Sequence, residues 1–201
     1  MEKIYSRTKT IQEDKVSGFC PGCMYSTVMK LIGEVLDEMG LVDKTLCCLG
    51  IGCCGLQMDY IAYDNITSPH GRACAVATGV KRSNPDTLVF TYQGDGDFAS
   101  IGLAESMSAA NRGENISVIF INNGIYGMTG GQMAPTTLVG MKATTAPQGR
   151  NPAEHGYPMH MVEIMDQLQA PVFLARTSCN TPANVNKTKQ PRFYLGQLRF
   201  M

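Results

Sequence analysis

The sequence predicts an α/β fold in which a mostly parallel sheet is flanked by helices. Three observations predict it. Short apolar runs at 45–49, 88–92 and 116–121 each end in a turn of glycine, asparagine or aspartate. Segments with helical spacing separate them, the pattern of strands joined by crossover helices. The polar and glycine clusters all fall at the carboxyl ends of the runs, where open parallel sheets bind their ligands.

The elements follow in order. Over 28–39 the apolar residues Val28, Leu31, Ile32, Val35, Leu36 and Met39 recur at helical spacing, with Gly40 as the stop. The run 45–49 reads as a buried strand ending at Gly50-Ile51-Gly52. Pro69-His70-Gly71-Arg72 opens a small-residue helix over 73–80. The strand 88–92 ends at Gly94-Asp95-Gly96. A helix over 99–112 leads to the strand 116–121 and the turn Asn122-Asn123-Gly124. Residues 129–158, rich in Gly, Pro and Thr, read as a long loop, and loops of that length are usually functional or disordered. A helix over 159–169 and a strand over 172–175 close the pattern, which fails beyond Thr188.

Composition sets the outer limits. The chain has 201 residues, 44% hydrophobic and 17% charged, enough apolar material for one buried core. Its 17 basic and 17 acidic residues cancel, which removes the electrostatic case for nucleic acid or an anionic membrane. No apolar run approaches the ~18–20 residues that span a bilayer, and the polar start of the chain is unlike a signal peptide. These features predict a cytoplasmic protein. In that compartment the eight cysteines are expected as thiols or metal ligands, not disulfides. Cys20 and Cys23 form a C-x-x-C pair; zinc is one reading of it, but no second pair stands at zinc-finger spacing.

Gly94-Asp95-Gly96-Asp97 and Asn122-Asn123 carry the chemistry. A divalent ion that grips a diphosphate takes few oxygen ligands from protein and the rest from phosphate and water. A carboxylate at one strand tip and an amide oxygen at the next can meet at one ion. The 25 residues between Gly96 and Asn122 are the right length for one crossover helix. The glycines let the backbone approach phosphates and present free N–H groups at the following helix start.

That pairing resembles the thiamine-diphosphate enzymes. The longer run Asn122-Asn123-Gly124-Ile125-Tyr126-Gly127-Met128-Thr129-Gly130-Gly131-Gln132 resembles the beta subunits of 2-oxoacid:ferredoxin oxidoreductases in particular. So do Cys20-Pro21-Gly22-Cys23, Gly52-Cys53, His70-Gly71-Arg72 and Pro135-Thr136-Thr137, in the family's order from about residue 18 to 189. The stretches 75–82 and 92–97 look closest to the 2-ketoisovalerate type.

The resemblance implies the diphosphate-binding module of a thiamine-diphosphate-binding fold over 1–189. An atypical tail follows over 190–201, read as truncated or frameshifted near Gln190. It implies thiamine diphosphate and Mg2+, the ion held by Asp95, Asn123 and the Ile125 carbonyl, with Asn122 orienting the turn. Ile51, Gly52 and Cys53 would lie against the cofactor. Gly94, Gly96, Asp97, Tyr126 and Gly127 would line the diphosphate region, and His70 would stand as the catalytic polar group near the reacting centre. A 4Fe–4S cluster would use Cys20, Cys23, Cys53 and a fourth, C-terminal cysteine, yet the last cysteine here is Cys179. Met24-Tyr25 also departs from the Gly-His that relatives often carry.

The implied activity is oxidative decarboxylation of a 2-oxoacid to an acyl-CoA, with electrons passed to ferredoxin. The carboxylate that activates the cofactor's pyrimidine ring would come from a partner alpha subunit, because this chain has no room for a second domain. Two other readings stand beside it. One is a non-redox thiamine-dependent decarboxylase subunit, which would lack iron and sulfide. The other is a non-catalytic truncated paralogue, which would show no magnesium-dependent cofactor binding.

Overall fold

The computed structural model describes residues 7–171, 173–189 and 199–200. Its strands are β1 (Thr45–Leu49), β2 (Asp64–Thr67), β3 (Leu88–Gly94), β4 (Ser117–Ile121), β5 (Ile125–Tyr126), β6 (Gln132–Met133), β7 (Phe173–Leu174) and β8 (Arg199–Phe200). Six of them form one sheet in the order β2-β1-β3-β4-β8-β7, with every neighbouring pair parallel. β5 and β6 make a separate antiparallel pair.

Side chains alternate across the central strands, so each face needs a cover. Cys47, Leu49, Phe90, Tyr92 and Ile119 face helix α1 (Met24–Glu38) and pack on its Tyr25, Met29 and Leu36. Cys48, Val89 and Val118 face the other way. They pack on Cys74 and Ala77 of α2 (Ala73–Ser83), Ala109 and Ala110 of α3 (Leu103–Asn111), and Met161 and Met165 of α5 (Met161–Asp166). The result is a three-layer sandwich, with the glycine, aspartate and asparagine turns all at the carboxyl end of β1, β3 and β4. Among the described residues, no helix is long and apolar enough to cross a membrane.

Several expectations need correction. α1 starts at Met24, ahead of Val28, because the Cys20–Cys23 turn delivers an extended Cys23 to its N-terminus. The helix expected over 99–112 is a single π-turn, Asp97–Ile101, followed by α3. The interruption has a steric cause: a Cβ on Gly102 would lie 2.4 Å from the Gly71 carbonyl oxygen, so the two loops cross there backbone to backbone. Such π-turns are frequent at functional sites. The helix expected over 159–169 is shorter, as α5. The loop 129–158 contains β6, the short helix α4 (Pro152–His155) and a series of hydrogen-bonded turns. β2 and α6 (Pro182–Lys189) are additional elements. Val172, and all of the atypical tail except β8, lie outside the described residues.

Candidate cofactor and cation site

Register brings the two motifs together. Gly94 at the tip of β3 pairs with Ile121 at the tip of β4, so Asp95 and Asn122 are the next residues on strands about 4.8 Å apart. Asp95 is 2% exposed. Its Oδ1 accepts from the Gly96 amide at 2.9 Å and its Oδ2 from the Thr136 hydroxyl at 3.0 Å. Burial pushes its carboxyl above the usual range, against the pull of Thr136 and the amides of Gly96, Gly124 and Ile125. The Ile125 amide also donates to Asn123 Oδ1 at 3.4 Å. One short turn therefore acts on both proposed ligands. Asn123 itself is exposed, its amide oxygen open to a further partner.

The floor of the site is built from close approaches. A Cβ on Gly96 would meet the Tyr126 ring at 1.9 Å, so only glycine lets that ring lie over the β3 tip. Beside it, a Cβ on Gly94 would stand 2.6 Å from the Tyr25 hydroxyl. Tyr25 is buried, and burial followed by the charges of Cys54 and Asp95 raises its phenol above the ordinary value. Tyr25 thus packs under the Gly94–Gly96 turn.

Asp97 is 1% exposed, and protein donors surround its carboxylate. Oδ1 accepts from the Ile51 amide (3.1 Å), the Gly71 amide (2.8 Å) and His70 Nδ1 (2.7 Å), and Oδ2 accepts from Gln93 Nε2 at 2.5 Å. Asp97 therefore ties the turn after β1 to the His-Gly-Arg turn and to β3. Because the carboxylate is an acceptor, His70 carries its proton on Nδ1, which leaves Nε2 as the ring's second hydrogen-bonding atom. The His70 side chain is 34% exposed.

The cysteines divide into two groups. Cys47, Cys48, Cys54 and Cys74 are buried; burial pushes Cys48, Cys54 and Cys74 up to about 12, so they behave as inert core thiols. Cys20 is exposed, and Cys23 and Cys53 are half-buried. Burial and then the neighbouring Cys23 raise Cys53, while the Met128 amide opposes them. A Cβ on Gly127 would lie 3.5 Å from Cys53 Sγ, so the turn after β5 touches this cysteine. Cys179 sits elsewhere, its Sγ 4.0 Å from the Thr188 hydroxyl of α6. Among the described residues, no three His, Cys, Asp or Glu side chains converge as a metal site. Cys20, Cys23 and Cys53 do not by themselves complete a four-thiolate cluster.

The family model described as "Thiamine pyrophosphate enzyme, C-terminal TPP binding domain" matches residues 50–190. The chain belongs to this family. It is 49% identical over 172 residues to the ketoisovalerate oxidoreductase subunit VorA of Methanothermobacter thermautotrophicus, covering 86% of this chain and 36% of that protein. With the 2-oxoglutarate synthase subunit KorB of Methanocaldococcus jannaschii it shares 41% identity over 148 residues, 73% of this chain and 55% of that one. The chain thus spans roughly a third to just over half of these relatives' length. Its fold superposes on the 2-oxoglutarate:ferredoxin oxidoreductase of Magnetococcus marinus with a TM-score of 0.83 at 26% identity, covering 96% of this chain and 69% of that one.

The residues present fit the thiamine pyrophosphate that the family binds. A buried carboxylate held above its usual range, next to an open amide oxygen and a glycine floor, is a donor set that a hard cation with phosphate oxygens completes. Sequence reasoning missed Thr136 as Asp95's partner. Its block, Pro135-Thr136-Thr137, was noticeable only through the resemblance.

Proposed function

We propose that this chain is the thiamine-diphosphate-binding subunit of a 2-oxoacid:ferredoxin oxidoreductase of the branched-chain type. It would act on 2-ketoisovalerate, with coenzyme A as acyl acceptor and ferredoxin as electron acceptor. The juxtaposition of Asp95 and Asn123 at neighbouring strand tips carries this reading. The high identity to a ketoisovalerate oxidoreductase subunit supports the choice of substrate class.

In this reading Asp95, Asn123 and the Ile125 carbonyl hold Mg2+, and the Gly96 turn and Tyr126 seat the diphosphate. Thiamine diphosphate, when bound, supplies the nucleophilic carbon and the electron sink for decarboxylation. Ile51, Gly52 and Cys53 wall the cofactor from the β1 side. Asp97 keeps the His70 proton on Nδ1, so Nε2 is presented as the atom that accepts or returns a proton near the reacting carbonyl. Cys20, Cys23 and Cys53 are assigned as three thiolates of a 4Fe–4S cluster, with Cys179 or another spare thiol as the fourth. A partner alpha subunit provides the carboxylate for the pyrimidine ring, and the assembly works in the cytoplasm.

The test is acceptor reduction by the chain assembled with its partner subunits under anaerobic conditions. The expected result is viologen reduction that needs 2-ketoisovalerate, coenzyme A, thiamine diphosphate and Mg2+ together. Carbon dioxide release with no acceptor reduction would favour the non-redox decarboxylase. Full-rate turnover by the single chain would overturn the partner assignment.

A further inference from the structure

Arg150 is an unusual buried cation. It is 6% exposed, and among the described residues no carboxylate pairs with it. Backbone carbonyls take its whole guanidinium. Nη1 donates to Pro135 O at 2.9 Å, Thr137 O at 2.9 Å and Ala134 O at 3.4 Å. Nη2 donates to Tyr157 O at 2.8 Å and His155 O at 3.2 Å, and Nε donates to Gly156 O at 2.8 Å. A buried charge is costly unless such donors are satisfied, and the fork geometry that meets both carbonyl groups belongs to arginine, not lysine.

The carbonyls on the Nη1 side flank Thr136. From this turn the Thr136 hydroxyl donates to Asp95 Oδ2 at 3.0 Å, and the Thr137 hydroxyl donates to Gly124 O at 2.6 Å. The turn therefore touches both strand-tip loops of the cation site, one hydroxyl on each. Thr136 and Thr137 are 3% and 0% exposed, so neither hydroxyl has bulk water as a substitute partner. The main chain of Arg150 is pinned as well: its amide donates to Met141 O at 3.0 Å, and its carbonyl accepts from Gly140 at 3.0 Å.

We infer that Arg150 is a positioning residue for the cation site, holding the 134–137 turn so that Thr136 sets the Asp95 carboxylate and Thr137 sets the Asn123 loop. This deepens the proposed function and rests on Asp95 being a metal ligand. It gives the 129–158 segment a purpose: its far end, at 155–157, is tied by one guanidinium to the turn against the ion. Groups that orient a metal ligand typically govern affinity by 10–100-fold.

The test uses the full chain with thiamine diphosphate in excess and Mn2+ as a paramagnetic probe, reading free Mn2+ by electron paramagnetic resonance. Thr136→Val and Arg150→Met are each expected to weaken Mn2+ binding about tenfold. The double variant is expected to lose less than the product of the two single losses, because both changes share the Thr136–Asp95 contact. Arg150→Lys keeps the charge, loses the fork and is expected between wild type and Arg150→Met. Wild-type Mn2+ affinity in Arg150→Met, or losses that multiply in the double variant, would overturn the inference. If Arg150→Met does not fold, Arg150→Lys decides, and unchanged affinity there overturns it. A wild-type chain that binds no Mn2+ with thiamine diphosphate would instead overturn the reading of the site itself.

Discussion

His70 Nδ1 lies 2.7 Å from Asp97 Oδ1, and the same oxygen accepts from the amides of Ile51 and Gly71. The geometry gives Asp97 a directing role on His70. His70→Asn and Asp97→Asn should each lower kcat of the assembled enzyme by roughly 10²-fold, the ordinary scale for losing a positioned proton carrier. In His70→Asn cofactor affinity should move by less than about threefold, since a loss confined to the reacting step leaves binding intact; Asp97→Asn should weaken it further, because Asp97 also holds the Ile51 turn. Steady-state kinetics with thiamine diphosphate titrated separately checks this. If the whole loss appeared as weaker cofactor binding, His70 would be a binding group and not a proton carrier.

Asp95 predicts a trade between stability and function. Burial raises its folded pKa, so the folded state holds the proton more tightly than the unfolded chain does. Its stabilising contribution is full below the unfolded value of about 3.9 and is lost as pH rises through the higher folded value. At neutral pH without metal, the ionised group is therefore a burden that Asn removes. Asp95→Asn should therefore raise the metal-free Tm. It should also abolish magnesium-dependent cofactor binding. Thermal melts with and without Mg2+ and thiamine diphosphate measure both. An unchanged melt together with retained binding would contradict the assignment.

Gly96 tests the floor of the site. A Cβ there would stand 1.9 Å from Tyr126, so Gly96→Ala forces the ring or the strand tip to move. The expected cost is about 1–3 kcal/mol of stability, the range for overpacking, together with weakened cofactor binding. Urea melts of Gly96→Ala, of Tyr126→Ala and of the double variant check the cause. The second change should relieve the crowding, so its stability cost should be smaller beside Gly96→Ala than alone.

Glu114 provides a pH test away from the site. It accepts from Arg82 Nη2 and Arg112 Nε, both at 2.7 Å. Burial alone would raise its carboxyl, but the hydrogen bonds and charges of Arg112 and Arg82 outweigh burial and hold it below the ordinary range. Its contribution is present above the unfolded value of about 4.3 and disappears as pH falls through the lower folded value. Glu114→Gln should cost about 1–2 kcal/mol at neutral pH and nothing in acid below that window. Denaturant melts across pH are the measurement, and a cost that persisted unchanged into acid would contradict the ion-pair account.

The sequence was readable where local pattern and burial agree. β1, β3 and β4 are apolar runs bounded by glycine or asparagine, and Asp95, the Asn122-Asn123 pair and their shared edge followed from the spacing, while the choice of Asn123 came from the resemblance. β2 was not readable, because Asp64–Thr67 is a polar edge strand whose partner, β1, decides its conformation. α6 escaped for a related reason: it is polar, with no buried residue to set a period. The roles of Thr136 and Arg150 depend on contacts across the fold, Thr136 lying 41 residues from Asp95. No periodicity announces such a contact. The break between the π-turn and α3 is also tertiary, created by the crossing of Gly71 and Gly102.

The most direct measurement is a crystal structure of the chain grown with thiamine diphosphate and Mn2+, with the metal located by anomalous scattering. One strong peak is expected, ligated by an Asp95 carboxylate oxygen, Asn123 Oδ1 and the Ile125 carbonyl, with the remaining ligands from diphosphate and water. A peak elsewhere, or a bound cofactor whose metal leaves Asn123 turned away, would contradict it.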